Sequence, residues 1–264
     1  MQVLVATAEL AQRFDAVAAD YLLTRFSGPG NPMGAQFLRT GDMVATKVPY
    51  VPLNPLMNRA RGISSVAQLH DVLAFYAATQ QRCWVEVVPS TPAAVTNEMI
   101  STGFRVESYA STLYTAPLPA PADHDVDISD VIEADLDEFL DTLNTGFGTP
   151  SQVLPGMRAN QRFWSQIHTW HLFMARVDGI AAGACVLSVH DDTAYLAAAS
   201  TLPAFRKRGI QSALISARMA RAQALGCTVV TGQAAWGSSS QCNMQRAGMQ
   251  ISHVRTLWKN QPVA

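Results

Sequence analysis

The sequence predicts a mixed α/β protein made of two related domains, each a mostly antiparallel sheet flanked by helices. Three observations carry that expectation. Helical and strand periodicities alternate along the chain, and a proline-rich stretch divides it. One lettering, R-x-R-G-I-x-S, occurs on each side of the divide, as "RARGISS" at Arg59 to Ser65 and "RKRGIQS" at Arg206 to Ser212.

Before the divide, "AQFLRTGDMVATKVPYVPLN" reads as a hairpin turning at Gly41 and Asp42, after which Pro52 and Pro55 interrupt regular strand. Asn58 to Ile63 fits strand or turn equally. A helix follows in "VAQLHDVLAFYAAT" with Ser64 or Ser65 as its cap, then strand "RCWVEVVP", helix "AAVTNEMISTG" and strand "FRVESYASTLY". Pro117, Pro119 and Pro121 alternate in "TAPLPAPADHD", which forbids helix or central strand and marks a linker. The expected division is a domain at 1–116, a linker at 117–125 and a domain at 126–264.

After the linker, apolar residues at Val131, Ile132, Leu136, Phe139, Leu140 and Leu143 have helical spacing, and "RANQRFWSQI" reads as a second helix. Turn signals at Asp178-Gly179 and at "HDD" separate three apolar runs, the pattern of an antiparallel meander. A helix to about Leu225, the strand "CTVVTG", the Ser-started helix "SSSQCNMQRAG" and the strand "MQISHVRTLW" complete the order βααβββαβαβ.

Composition narrows the function. The chain has 264 residues, 48% hydrophobic and 15% charged, which is globular. No apolar run approaches the roughly 20 residues that span a bilayer, and "MQVLVATAELAQRFDA" turns acidic too early for a secretory signal. A cytoplasmic protein without a membrane partner is expected. Cys83, Cys185, Cys227 and Cys242 lack metal-ligand spacing and read as reduced thiols, and no metal is expected. A net charge of −1 argues against nucleic acid. Yet Thr193 to Ala264 contains no Asp or Glu, while Arg206, Lys207, Arg208, Arg218, Arg221, Arg246, Arg255 and Lys259 lie within it. Either these cations await a small polyanion or acidic surface, or they are balanced by the acidic segment "DHDVDISDVIEADLDEFLD".

"RKRGIQS" follows a strand and opens a helix, so its backbone amides lack intrahelical partners and face the positive end of the helix dipole. Such a turn can hold phosphate, or it is an ordinary strand-to-helix turn with solvated cations. Gly209 lets the backbone approach the ligand, and Arg206, Lys207 and Arg208 add charge.

In this context Pro203, Arg206, Arg208, Gly209, Ser212, Ala213 and Leu214 follow the pattern P-x-x-R-x-R-G-x-x-S-A-L, and the element order agrees from Val126 to Lys259. The chain here resembles the acyl-CoA-binding core of the GNAT superfamily of N-acyltransferases. The resemblance implies that Arg206, Lys207, Arg208, Gly209, Ile210, Gln211 and Ser212 hold the pyrophosphate of acetyl-CoA. It also implies that Ala198, Ala199 and Ser200 present a strand edge to the pantetheine arm. The chain departs from the family pattern at Gln211, where a small residue is usual, at Met244, where many members carry a tyrosine acid, and at Gly237, the place of a common asparagine.

No carboxylate lies on the strand Thr193 to Thr201 to serve as general base. Candidates for proton transfer are Asp141 on the first helix, Asp191 and Asp192 in a turn, His168, His171, and Asn243 beside Met244. Tyr195 and Ser200, five residues apart on one strand, are expected on opposite faces, one of them toward the acyl site.

Gly62 and Gly103 stand 41 positions apart, Gly209 and Gly248 39, so the first half reads as a degenerate copy of the same fold. Its own turn is expected to be structural, covering the second domain and shaping an acceptor groove. The implied function is transfer of an acetyl group from acetyl-CoA to a small-molecule amine or peptide acceptor. The alternatives are a non-catalytic acyl-CoA-binding or regulatory module and a binder of a small phosphorylated ligand. Oligomeric state is open.

Overall fold

A computed structural model describes residues 7–79, 81–116, 118–119 and 125–260. Of the expected linker, Pro117 and residues 120–124 lie outside the described residues. The first half contains α1 (Ala8–Thr24), β1 (Gln36–Thr40), β2 (Met43–Lys47), β3 (Arg59–Arg61), α2 (Val66–Ala77), β4 (Trp84–Val87), α3 (Ala93–Ser101) and β5 (Phe104–Thr115). The second contains β6 (Asp127–Asp130), α4 (Leu136–Phe147), α5 (Leu154–Gln161), β7 (Trp170–Val177), β8 (Ile180–His190), β9 (Thr193–Thr201), α6 (Ile210–Ala224), β10 (Val229–Ala235), α7 (Ser239–Arg246) and β11 (Gln250–Asn260).

Local chemistry accounts for these boundaries. Thr7, Ser65 and Ser238 cap α1, α2 and α7, each hydroxyl accepting from the amide three residues on. Asp178 and Asp191 take left-handed backbone at the meander turns, with φ of 52° and 53°. The βααβββαβαβ order is present, preceded in the first half by α1, which the sequence reading did not anticipate.

Eleven strands form one sheet in the order β1-β2-β3-β4-β11-β5-β10-β9-β8-β7-β6. Pairing is antiparallel except for β3 with β4 and β9 with β10, so each half contributes one parallel pair. The mixed, mostly antiparallel α/β architecture with two like halves is therefore present. Sequence did not reveal that the halves exchange their last strands. β5 pairs with β10 of the second half, from Thr115 opposite Val230 to Ala110 opposite Ala235. β11 pairs with β4 of the first, from Val87 opposite Thr256 to Trp84 opposite Lys259. β5 and β11 also pair with each other at the centre of the sheet.

A second interlock comes from α1. Its Val17, Ala18 and Tyr21 belong to one apolar cluster with Phe139 and Leu140 of α4, Trp170 of β7 and Tyr195 of β9. On the other face, Ile210, Leu214, Ile215 and Met219 of α6 pack over Cys185, Leu196 and Val230. No helix among the described residues is long and apolar enough to cross a membrane.

Candidate functional site

The parallel ladder of β9 and β10 runs from Thr193 opposite Val229 to Leu196 opposite Gly232 and stops, although β9 continues to Thr201 and β10 to Ala235. Beyond that point the two strands leave an opening. Its cause is a bulge: Leu196 faces Leu187 and Ala199 faces Cys185, so β9 carries one residue more than β8 over this stretch. The bulge corrects the expectation for Tyr195 and Ser200. Instead of opposing each other, both face α4, Tyr195 within its apolar cluster and Ser200 donating a hydrogen bond to the Leu143 carbonyl at 3.0 Å. Gly146 permits this approach, since a Cβ there would run into the Ser200 side chain.

After β9 the chain turns through Pro203–Phe205 into the basic stretch. Lys207 and Gly209 both have positive φ, 63° and 78°, and Gly209 is the N-cap of α6. No side chain caps this helix, so its first amides face outward without a side-chain acceptor. Arg206, Lys207 and Arg208 form no ion pair among the described residues, and Arg208 stacks on the Phe205 ring at 5.4 Å. Other C-terminal cations are matched: Arg221 with Asp130 at 2.7 Å, Arg255 with Glu86 at 2.8 Å, Lys259 with Glu107 at 3.1 Å. Of the acidic segment, Asp130 takes Arg221, while Asp137, Glu138 and Asp141 engage Arg158, Arg162 and Arg176. Its charge is thus directed away from the 206–208 turn.

A cleft of about 660 Å³ lies against this turn, lined by Ala199, Ser200, Arg206, Lys207, Gly209, Ile210, Gln211 and Ser212. Of the residues expected around a cofactor, Ala198 lines the adjoining cavity and Arg208 lines neither, its guanidinium turned to Phe205. Gln211 donates from its side-chain amide to the Thr201 hydroxyl at 2.9 Å, tying α6 to β9.

The adjoining cavity is larger, about 1140 Å³, and shares Phe147, Ala199, Gln211 and Ser240 with the cleft. It lies between the halves. Tyr21, Arg25 and the 50–57 segment wall it from the first half, and Phe147, Trp164, Tyr195 and the 233–235 end of β10 from the second. Arg59, Glu86 and Arg255 close one side. The Glu86 carboxylate receives Arg59, Arg61 at 2.8 Å and Arg255 at 2.8 Å, and all but Arg59 are nearly inaccessible to solvent. Burial alone would raise the Glu86 pKa, but the three guanidinium groups outweigh it and hold the carboxyl well below its ordinary range. Tyr195 moves the other way, since burial raises its hydroxyl above the ordinary phenol value.

The remaining expected residues lie elsewhere. Asp141 sits on the solvent face of α4, paired with Arg158, because Leu140 and Leu143 take the buried face. Asp192 is held by Arg13 and Thr228, Asp191 is an exposed turn residue, and His168 is exposed. His171 lies beside Arg221, and burial lowers its pKa. None of these lines the cavity or the cleft. Asn243 lines the cleft and accepts from Arg246 at 2.9 Å, while the buried Met244 lines the cavity. Sequence reasoning missed Tyr21, Arg25 and the Arg59–Glu86–Arg255 cluster. The helical spacing of "AELAQRFDAVAADYLL" behind Thr7 was the available signal for the first two.

The matching turn of the first half is closed. Gly62 has φ of 70°, and a Cβ there would run into the Asp42 carbonyl oxygen at the tip of the β1–β2 hairpin. Arg59 and Arg61 point to Glu86, and Ser64 and Ser65 both hydrogen-bond Gln68 at the start of α2.

Residues 136–237 match the model of the acetyltransferase (GNAT) family. Among solved structures, a GCN5-related N-acetyltransferase from Kribbella flavida superposes with a TM-score of 0.65 at 16% identity, over 94% of this chain and 97% of that one. A GCN5-related N-acetyltransferase from Sphaerobacter thermophilus gives 0.59 at 15% identity, over 83% and 80% of the two chains. A tandem GNAT protein from the clavulanic acid biosynthesis pathway gives 0.59 at 12% identity, over 99% and 98%. No curated protein matches the chain. The chain thus carries a GNAT-family domain at residues 136–237 and has the fold of tandem GNAT proteins over nearly its whole length.

Proposed function

We propose that this chain is an acetyl-CoA-dependent N-acetyltransferase with one coenzyme site, at the 206–212 turn, and an acceptor cavity between its halves. One observation carries the reading: a basic turn with uncapped amides, its cations unpaired among the described residues, opens on a cleft that shares lining residues with the larger cavity between the halves.

The fit to a pyrophosphate is chemical. The first amides of α6 and the cations at Arg206 and Lys207 present donors and positive charge where an anion needs both. The edge of β9 from Ala197 to Ala199 has no partner on β10 and is free to pair with an amide-bearing arm. Acetyl-CoA supplies an acyl group activated as a thioester. The protein supplies alignment, which lowers such barriers by several kcal/mol, about 7–11 at the limit.

An amine attacks only when neutral. Arg25, Arg59, Arg218 and Arg255 line the cavity against the single carboxylate of Glu86, and like charges disfavour an ammonium. The cavity therefore eases deprotonation without a dedicated carboxylate base. Tyr195 stays protonated, lines the cavity and has no hydrogen-bond partner among the described residues, which suits it to donate toward charge developing in the reaction. Tyr195→Phe is expected to lower kcat by about 10²-fold with acetyl-CoA affinity unchanged, a change in affinity instead making it a binding residue. Ser200 has no chemical role in this reading, its hydroxyl being held by α4.

Calorimetric titration of acetyl-CoA tests the site. Gly209→Asn tolerates the left-handed backbone and adds no charge, whereas Gly209→Asp adds a carboxylate to the same shape. One site per chain is expected, with affinity at least about 10-fold weaker in the Asp variant than in the Asn variant. Absence of binding in the unaltered protein would end the transferase reading. A non-catalytic acyl-CoA-binding module is favoured by one observation, buried Met244 in place of a hydroxyl-bearing side chain. Binding without CoA release across an amine panel would establish that alternative.

A further inference from the structure

We infer that the amine acceptor carries a carboxylate on an apolar body, and that Arg25 is the residue that selects for it; the inference rests on the transferase reading and deepens it. The cavity wall is unbalanced. Its one carboxylate, Glu86, already receives Arg59, Arg61 and Arg255, so no acidic side chain is left to attract a polycation. The guanidinium groups are not equally engaged. Arg218 donates to the carbonyls of Leu214, Val186 and Ala197, and Arg255 and Arg59 are bound to Glu86.

Arg25 is different. Its guanidinium sits 5.5 Å from the Tyr21 ring, 5.1 Å from Phe26 and 6.0 Å from Trp164, and it makes no ion pair or side-chain hydrogen bond among the described residues. Aromatic faces hold the charge in place without neutralising it. Beside it, the Tyr21 hydroxyl is buried without a partner, and the Tyr21 and Tyr195 rings lie 5.3 Å apart. That wall therefore presents to the cavity an unpaired guanidinium held over aromatic faces, while the Tyr21 hydroxyl is covered by protein. A two-oxygen anion matches a guanidinium fork. Leu53, Leu56, Val153 and Met157 supply apolar wall for the rest of the acceptor.

The test uses matched product analogues, with coenzyme A present: N-acetyl-L-phenylalanine and N-acetyl-L-leucine, each against its primary amide, titrated by calorimetry. Each acid is expected to bind at least about 10-fold more tightly than its amide. In Arg25→Gln the ratio should fall close to one. Arg25→Lys, which keeps the charge, should retain a preference, and Arg39→Gln, exposed on β1, should leave it unchanged. Amides binding as tightly as acids, or neither binding, would overturn the inference. Acetyl-CoA titrated into the same samples keeps the two failures apart: bound acetyl-CoA with no acid preference sinks only the acceptor class, and unbound acetyl-CoA sinks the transferase reading.

Discussion

At Arg59–Ser65 and Arg206–Ser212 the chain repeats the same lettering, and the two glycines share nearly the same backbone, φ of 70° at Gly62 and 78° at Gly209. Their surroundings divide them. Around Gly62 the hairpin tip fills the space a ligand would need, both arginines turn inward to Glu86, and serines engage the start of α2. Around Gly209 nothing lies within 4 Å of where a Cβ would be, the three cations have no ion-pair partner among the described residues, and α6 has no side-chain cap. A motif of this kind fixes a backbone turn. Whether that turn binds an anion depends on what the rest of the fold has already placed against it.

The largest effect that sharpens this contrast is expected at Glu86. Glu86→Gln leaves Arg59, Arg61 and Arg255 facing one another without a counter-charge, and breaking a buried pair of this kind costs about 3–5 kcal/mol. The pH dependence has a definite sign. The folded pKa is depressed, so the Glu86 contribution is present above the unfolded carboxyl value near ~4.3 and is lost as pH falls toward the folded one. Urea unfolding should show a constant gap between the unaltered protein and Glu86→Gln from pH 8 to 5, narrowing only below about pH 4. A gap that narrows near neutral pH would contradict the ion cluster.

The glycines themselves come next. Gly62→Ala combines a strained backbone with a clash against the Asp42 carbonyl, and about 2–4 kcal/mol of stability should be lost. Gly209→Ala meets open space and should cost only about 1 kcal/mol through its backbone, while weakening acetyl-CoA binding by about 10-fold or more. Thermal melts and titrations on both variants decide the matter. Equal binding losses in the two would mean that the first turn also holds a ligand.

The exchanged strands offer a comparison of the halves as wholes. Each half's parallel pair is flanked by the other half's last strand, β5 beside β10 and β11 beside β4. Separating them would break three ladders, β4 with β11, β11 with β5 and β5 with β10, and expose six unpaired edges. Proteolytic cleavage within 117–125 is therefore expected to leave the two fragments associated through gel filtration in native buffer. Fragments that part freely would show that the halves are stable sheets by themselves.

Much of this was legible in sequence, because caps, turn glycines and periodicity are local: of Ser64 and Ser65 it is Ser65 that caps α2, of the three serines before α7 it is Ser238, and the meander turns fall at Asp178 and Asp191. The strand exchange was not legible, since "FRVESYASTLY" has the same strand character beside either partner. The bulge lies within the run Ala197-Ala198-Ala199, where no side chain marks the extra residue, and it alone decides which way Ser200 points. The Glu86 cluster joins positions as far apart as 86 and 255 through strand register. The 206–212 turn could be read as a local motif, whereas the cavity wall between the halves depends on pairings between distant segments.

The smallest expected effect lies at Gln211, where the second turn departs from the small residue usual in the family it resembles. A long side chain beside an anion site would weaken binding if it filled the site. Here its amide donates to Thr201 instead, which turns it along β9 and leaves the amides of the α6 start accessible. Gln211→Ala removes one partly buried hydrogen bond and should cost about 0.5–1.5 kcal/mol of stability. Acetyl-CoA affinity should change by less than about threefold, because the side chain contributes neither charge nor obstruction. A gain of 10-fold or more would mean that Gln211 competes for the site, and the second turn would then be, like the first, partly closed by its own chain.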